Sequence, residues 1–119
     1  MGQFFKFLLA SCLGVFLALI AISVFGTIML TQSEICYLYP QGINYCWLVL
    51  KGGKKILVRG SVDHFENELK RPPFIRVHPE YIVNQKCILQ VLNGKRITIK
   101  MSNNDRIPVS TDFFDLLLK

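Results

Sequence analysis

The sequence predicts a mainly β protein: an antiparallel β domain with one or two short helices, preceded by a single transmembrane helix. Residues 7–30 form a run of 24 residues without a charged side chain. After Thr31, short apolar and β-branched runs alternate with glycine, proline and asparagine, which is typical of strands joined by tight turns. We therefore expect a membrane segment over residues 1–30 and one small domain over residues 31–119.

The uncharged run is long enough to cross a membrane. A helix of 24 residues measures about 36 Å at about 1.5 Å per residue, and the hydrocarbon core of a bilayer is about 30 Å thick. The run follows Lys6 but exceeds the roughly 7 to 15 apolar residues of a cleaved secretory signal, which favours an uncleaved anchor. The next basic residue is Lys51, so the positive-inside rule weakly favours a domain outside the cell.

The sequence of the first half of the domain predicts three strands and a helix. Gly52 and Gly53 are suited to a tight hairpin turn. Ser61 can cap a helix because its hydroxyl accepts from the free amides of the first turn. Pro72 stops that helix, since proline forbids helical continuation. These signals delimit strands at 35–39, 45–50 and 55–59 and a helix at 62–69.

The second half continues as strands. Asn93-Gly94 is the strongest short hairpin signal in the chain, because both residues tolerate positive φ. After it, apolar residues alternate with polar ones up to Met101, so this strand should bury one face and present a basic one. Ser110 can cap a last helix that reaches residue 118. Strands are expected at 74–78, 81–84, 87–92, 95–101 and 106–109.

Residues 74–84 read Phe-Ile-Arg-Val-His-Pro-Glu-Tyr-Ile-Val-Asn and resemble the central signature of the LytTR family of DNA-binding domains. In that family, Phe-x-Arg-x-His is followed by Tyr or Phe, an aliphatic pair and Asn. The helix after Ser61, the Asn93-Gly94 hairpin and the Ile-Pro-Val-Ser stretch at 107–110 also match the family's order and spacing. The resemblance implies an elongated antiparallel β domain that binds duplex DNA through loops.

The resemblance also implies where DNA would be contacted. In the family, the contacts come from the loop after the first strand, the segment after the motif His and the residues after the terminal Ser. Those positions correspond to Asn44, to Pro79 and Glu80, and to Thr111 and Asp112. With the motif residues and two lysines that would attract phosphates, the candidate contacts are Asn44, Arg76, His78, Pro79, Glu80, Asn84, Lys86, Lys100, Ser110 and Thr111.

The sequence departs from the family in two respects. Family members usually carry a polar or basic residue after the motif His and a basic residue after the terminal Ser, whereas this chain has Glu80 and Asp112. Negative charge there would weaken attraction to phosphates. The family domain also begins with one or two further strands, and the apolar segment occupies their place, so we expect an incomplete opening sheet.

Three motif residues have structural alternatives. Arg76 could reach a phosphate, or it could pair with Glu66 or Glu68 on the neighbouring helix. His78 lacks a cluster of other ligand residues, so a hydrogen-bonded structural role is favoured over metal binding. Asn84 is expected to fix a turn through its side chain, with base contact as the alternative.

The remaining groups point to binding rather than catalysis. From Lys51 to Arg106 the chain has 12 basic and 5 acidic residues, which favours polyanions as partners. No arrangement of nucleophile, base or paired carboxylates has supporting context, so we expect no enzyme activity, cofactor or metal. Cys36 and Cys46 flank a predicted hairpin and could pair in an oxidising compartment.

Two functions of different classes follow. The first is a membrane-anchored LytTR-type transcriptional regulator that binds duplex DNA, tethered through residues 7–30. It requires a single-pass protein of the inner membrane with a cytoplasmic domain, against the weak charge rule. The second is a membrane-tethered module that kept the fold, lost sequence-specific DNA binding, and binds a partner protein or a second copy of itself through an exposed sheet edge. A third alternative, a truncated domain that does not fold alone, would show no cooperative unfolding.

Overall fold

The computed structural model of the protein describes residues 18–23 and 26–113. In these residues it contains ten strands, two short 3-10 turns (Gln32–Glu34 and Gln85–Cys87) and one α-helix with both ends described, α1 (Val62–Glu68). Helical backbone starts again at Thr111. The strands are β1 (Ala18–Ser23), β2 (Gly26–Thr31), β3 (Ile35–Gln41), β4 (Tyr45–Leu50), β5 (Lys55–Arg59), β6 (Phe74–His78), β7 (Tyr81–Asn84), β8 (Ile88–Leu92), β9 (Thr98–Met101) and β10 (Arg106–Pro108).

The strands form two antiparallel sheets. The large sheet has seven strands in the order β2-β1-β5-β4-β3-β7-β6, and the small sheet has three in the order β10-β9-β8. The mainly β, antiparallel architecture predicted from the sequence is therefore confirmed, and the strands predicted between residues 35 and 84 match β3 to β7 closely.

The large sheet buries side chains on both faces. Successive side chains of a strand point to opposite faces, so Leu38 joins a cluster under α1 that includes Leu48 and Phe65. On the other face, Tyr37 joins a cluster with Ile99 and other residues of the small sheet. The two clusters fix α1 and the small sheet on opposite sides of β3.

Helix α1 begins where the sequence predicts. The hydroxyl of Ser61 accepts a hydrogen bond from the His64 amide at 3.1 Å, and Phe65 is buried against the sheet. Gly60 precedes the cap with φ +138°, and a Cβ there would lie 2.8 Å from Cε2 of Phe65. Glycine at this position therefore lets the chain leave β5 and enter the helix without pushing Phe65 out of the core.

The predicted transmembrane helix is wrong over the described residues. β1 and β2 pair along their whole length, from Ala18 opposite Thr31 to Ser23 opposite Gly26. Leu19 faces the cluster under α1 and is 3% exposed, whereas Ile20 faces outward and is 54% exposed. Because both faces of the hairpin carry apolar side chains, the sequence lacks the alternation that marks a strand.

The hairpin supplies the opening strands that the sequence analysis expected to be missing. It joins the large sheet where Ser23 pairs with Val58 of β5, and Ile28 and Leu30 pack against the cluster under α1. Within residues 18–23 and 26–113, no helix is long and apolar enough to span a bilayer. Residues 7–17 and 24–25 of the predicted segment lie outside the described residues.

The turn between β8 and β9 is longer than predicted. Leu92 pairs with Thr98, so residues 93–97 form the connection instead of a two-residue Asn-Gly turn. A two-residue turn would place Val91 opposite Arg96, whereas the observed register places it opposite Ile99. The observed register therefore pairs Val91, which is 41% exposed, with an apolar side chain instead of a charged one, and this outweighs the local turn preference.

The cysteines do not pair as the sequence suggested. Cys36 faces the small sheet, whereas Cys46 faces α1 and lies opposite Pro40, about 13 Å further along the strand. The neighbour of Cys36 is Cys87: the Cys36 sulfur lies 3.4 Å from the Ser102 hydroxyl, and the Ser102 amide donates to the Cys87 carbonyl. Burial raises the pKa of Cys46 and that of Cys87 to about 11.

Neighbouring substitutions in β1 test the hairpin. Leu19→Lys should lower the free energy of unfolding of the full chain by about 3 kcal/mol or more, because it buries an ammonium group. Ile20→Lys should change it by less than about 0.5 kcal/mol, since that side chain faces outward. Denaturant titration followed by Trp47 fluorescence measures both. Equal losses would contradict the hairpin and favour a helix in lipid.

Candidate nucleic-acid interface

Three segments predicted to contact DNA lie at one end of the large sheet, which we call the loop end: the β3–β4 turn with Asn44, the β6–β7 turn with Pro79 and Glu80, and residues 110–112. Leu38 pairs with Ile82 in the antiparallel pair β3–β7, so β3 ends at the same end of the sheet at which β7 begins. The two turns are about two strand spacings apart, roughly 10 Å. The Ser110 amide donates to the Val77 carbonyl at 2.8 Å, which places the third segment beside β6.

Arg76 holds the β6–β7 turn against helix α1. One terminal nitrogen of its guanidinium lies 2.6 Å from Asp63 and 2.9 Å from Glu66, and the other donates to the Pro79 carbonyl at 2.5 Å. Of the two alternatives for Arg76, the structure contains the ion pair, with Glu66 and Asp63 as partners rather than Glu68. Burial lowers the pKa of Arg76, but its bonds to the two carboxylates raise it more, so the net shift is upward.

His78 shapes the same turn. Its Nδ1 accepts a hydrogen bond from the Glu80 amide at 3.1 Å, and its ring meets Tyr81 edge-on, with the centroids 5.6 Å apart. Because Nδ1 accepts this bond, it carries no proton, and the ring proton of this tautomer lies on Nε2. The turn leaves Pro79 and Glu80 exposed, so those two residues form its accessible surface.

Asn84 is a structural residue. It is 1% exposed, its Nδ2 donates to the Ile35 carbonyl at 3.0 Å, and its Oδ1 accepts from the Lys86 amide at 2.9 Å. The expectation that its side chain fixes a turn is confirmed. Burial removes Asn84 from the surface that a DNA base could reach.

The two lysines do not join the loop end. Lys86 follows β7 at the opposite end of that strand, and Lys100 lies in β9 of the small sheet, opposite Gln90 and Arg106. Ser110 and Thr111 do lie near the β6–β7 turn, and Thr111 and Asp112 are exposed. The Phe113 amide donates to the Ser110 carbonyl at 2.9 Å, which is consistent with the predicted helix start; residues 114–119 lie outside the described residues.

The sequence analysis missed two exposed residues at the loop end. Arg59 pairs with Tyr45 across β4 and β5, and the Asn44 carbonyl accepts from the Gly60 amide at 2.7 Å. Tyr45 is 42% exposed. The alternation within 45–50 could have revealed this, because Tyr45 has the opposite parity to the buried Cys46 and Leu48.

The charge of the loop end is mostly negative. Arg76 is neutralised by its two carboxylate partners. Arg59, at the end of β5, is then the basic side chain at the loop end that forms no ion pair among the described residues. The acidic groups, whether exposed or half-buried, outnumber the basic ones; they are Asp63, Glu66, Glu80 and Asp112.

Tyrosines line the face of the sheet between the loop end and the small sheet. The rings of Tyr37, Tyr39 and Tyr81 lie 6.0 to 6.4 Å apart. The Tyr37 hydroxyl donates to Asp105 at 2.5 Å, and Lys55 donates to the Tyr39 hydroxyl at 3.1 Å. Burial, and then the bond to Asp105, raises the pKa of Tyr37, while burial raises that of Tyr81. Tyr37 and Tyr81 therefore remain neutral at physiological pH, and the three rings pack as a support for the β6–β7 turn.

Replacing Arg76 separates a positioning role from a phosphate contact. Arg76→Met should lower the free energy of unfolding by about 2 kcal/mol, because it removes the bond to Pro79 and leaves Glu66 unpaired. DNA affinity should fall while the slope of log affinity against log salt stays the same. A slope reduced by about 1 would mean that Arg76 contacts a phosphate. Arg106→Met, at an exposed site in β10, is the control and should change stability by less than about 0.5 kcal/mol.

Comparison with known proteins agrees with this architecture. A family model described as the LytTr DNA-binding domain matches residues 26–119. Among solved structures, the chain is similar to the LytTr DNA-binding domain of a Bacillus cereus protein described as a methyl-accepting/DNA response regulator, with 24% identity and a TM-score of 0.71 over 85% of this chain and 95% of that one. No curated protein matches. The fold is the same, and the family match covers most of the sequence: the chain belongs to the LytTR family of DNA-binding domains.

Proposed function

We propose that the chain is a transcriptional regulator that binds duplex DNA through the loop end. The observation that carries the proposal is the convergence of three segments, distant in sequence, at one end of the large sheet. These are the positions that the family resemblance implies for DNA contact, and the Ser110–Val77 backbone bond brings the last of them beside β6, which leads into the β6–β7 turn.

The exposed groups of the loop end fit the edge of a duplex. An asparagine amide can bond an adenine edge through a donor and an acceptor together, and Asn44 is exposed at the tip of its turn. The Thr111 hydroxyl can bond a base or a phosphate, and Arg59 supplies a cation for the backbone. Arg76, His78 and Ser110 act as positioning residues, because their polar contacts lie within the fold.

The carboxylates of the loop end favour a second candidate. Glu80 and Asp112 are exposed and would approach phosphates, and each reduces electrostatic attraction to DNA. A surface with this charge also suits a basic protein partner. The second candidate is therefore an interaction module that keeps the LytTR fold without reading DNA sequence.

Selection from a random duplex library with the full chain decides between the two, and we expect one consensus to be enriched. On that consensus, Asn44→Ala should weaken binding at least about fivefold, because one good base contact contributes about 1 to 3 kcal/mol. Glu80→Gln should tighten binding about two- to fivefold by removing repulsion from phosphates.

Matched controls lie away from the loop end. Asn93→Ala, in the exposed β8–β9 turn, and Glu34→Gln, at the other end of the sheet, should leave affinity unchanged. If the folded full chain enriches no sequence, sequence-specific DNA binding is contradicted and the interaction module is the function that is left.

Membrane attachment remains a prediction of the sequence. Strands β1 and β2 occupy most of the carboxyl-terminal part of the segment 7–30. The uncharged residues ahead of β1, 7–17, number 11 and are mostly apolar. A spanning helix needs about 20 residues, so we propose that any attachment through them is to one face of the bilayer.

A reporter that is fused after Lys119 and is active in one compartment only shows on which side of the membrane the domain lies. DNA binding requires activity of the cytoplasmic reporter. Activity of an extracytoplasmic reporter alone would remove the chromosome as a partner and leave the interaction module.

A further inference from the structure

The end of the large sheet opposite the loop end carries a cluster of basic side chains, which we call the basic end. Here β4 ends, β5 and β6 begin, and β7 ends. All five side chains are exposed. They are Lys51, Lys54, Lys70, Arg71 and Lys86.

Hydrogen bonds donated by backbone amides tie the segments of the basic end together. The Lys51 amide donates to the Glu34 carbonyl at 2.9 Å, and the Gln85 amide donates to the Pro73 carbonyl at 2.9 Å. The Lys70 amide donates to the Gln32 side chain at 3.1 Å. The five cations therefore project from segments whose relative positions are fixed, although they come from three separate parts of the sequence.

The cluster is not neutralised within the fold. Among the described residues, no carboxylate lies within ion-pair distance of these five side chains, since the ion pairs found there belong to Arg76. The nearest acidic residues along the chain are Glu34 and Glu68, so the basic end has a net positive charge. The net charge of the loop end is negative. Positive and negative charge therefore lie at opposite ends of the strands.

The amino-terminal segment joins the domain at the basic end. β1 starts where Ala18 pairs with Thr31, and Thr31 adjoins Gln32, which bonds Lys70. The residues directly before β1, 7–17, are uncharged and mostly apolar. An apolar segment next to a basic cluster is the combination that binds anionic membrane surfaces, because one apolar contact alone is weak.

We propose that the basic end docks on the anionic headgroups of a membrane surface. The strands between the two ends span about 17 Å, so a domain seated in this way points its loop end away from the lipid. Nucleic acid is the other polyanion that the cluster could bind. The membrane is favoured because the apolar segment enters here and the positions implied for DNA contact lie at the other end.

Vesicle flotation with the full chain tests the proposal. The partition coefficient onto phosphatidylcholine vesicles containing 30% phosphatidylglycerol should exceed that onto pure phosphatidylcholine at least about tenfold at low salt, and the preference should shrink at high salt. The fourfold variant K51Q/K70Q/R71Q/K86Q should bind both vesicles alike. Its melting curve should match that of the wild type, because all four side chains are exposed.

A second variant with the same change of net charge is the control. It neutralises four basic residues of the small sheet and its β8–β9 turn and should keep the preference for anionic vesicles. Equal loss in both variants, or no preference in the wild type, would overturn the proposal, as would a tenfold loss of duplex affinity in the first variant with vesicle binding unchanged. The assay uses lipid alone, so its outcome is independent of sequence-specific DNA binding. The control substitutions are K95Q/R96Q/K100Q/R106Q.

Discussion

The alternation of side chains in β3 is the constraint on which the rest of the structure depends. Leu38 and Tyr37 point to opposite faces, so one strand anchors both α1 and the small sheet. The Tyr37–Asp105 bond and the Asn84–Ile35 bond then fix the small sheet and β7 on β3. Since β3 also ends in the Asn44 turn, the packing of both faces determines what the loop end presents.

Much of this fold follows from local sequence signals. β3 to β7 were predicted because turn residues bound them, and α1 because Ser61 and Pro72 mark its limits. The β1–β2 hairpin could not be predicted in this way, because its outward face carries Ile20 and Ile22 as apolar residues. A run of apolar residues looks alike in a membrane helix and in a strand, and the pairing partner that distinguishes them is remote in sequence.

The candidate site was predictable as segments but not as side chains. The family resemblance identified all three segments of the loop end. It did not identify Arg59, which reaches the loop end only through its register with Tyr45, and it included Asn84, whose burial depends on contact with β3. Lys86 and Lys100 have the right charge, but their positions follow from strand direction and sheet membership, which spacing along the chain does not encode.

The placement of the thiols has a consequence for how the domain opens. Cys36, Cys46 and Cys87 are at most 3% exposed, and a thiol must be exposed as its thiolate to attack an alkylating reagent. Each cysteine therefore reacts only when its surroundings separate: Cys46 when α1 lifts from the sheet, and Cys36 and Cys87 when the small sheet does. The rates at which the three thiols are alkylated thus report local opening of the two layers separately, with no added probe.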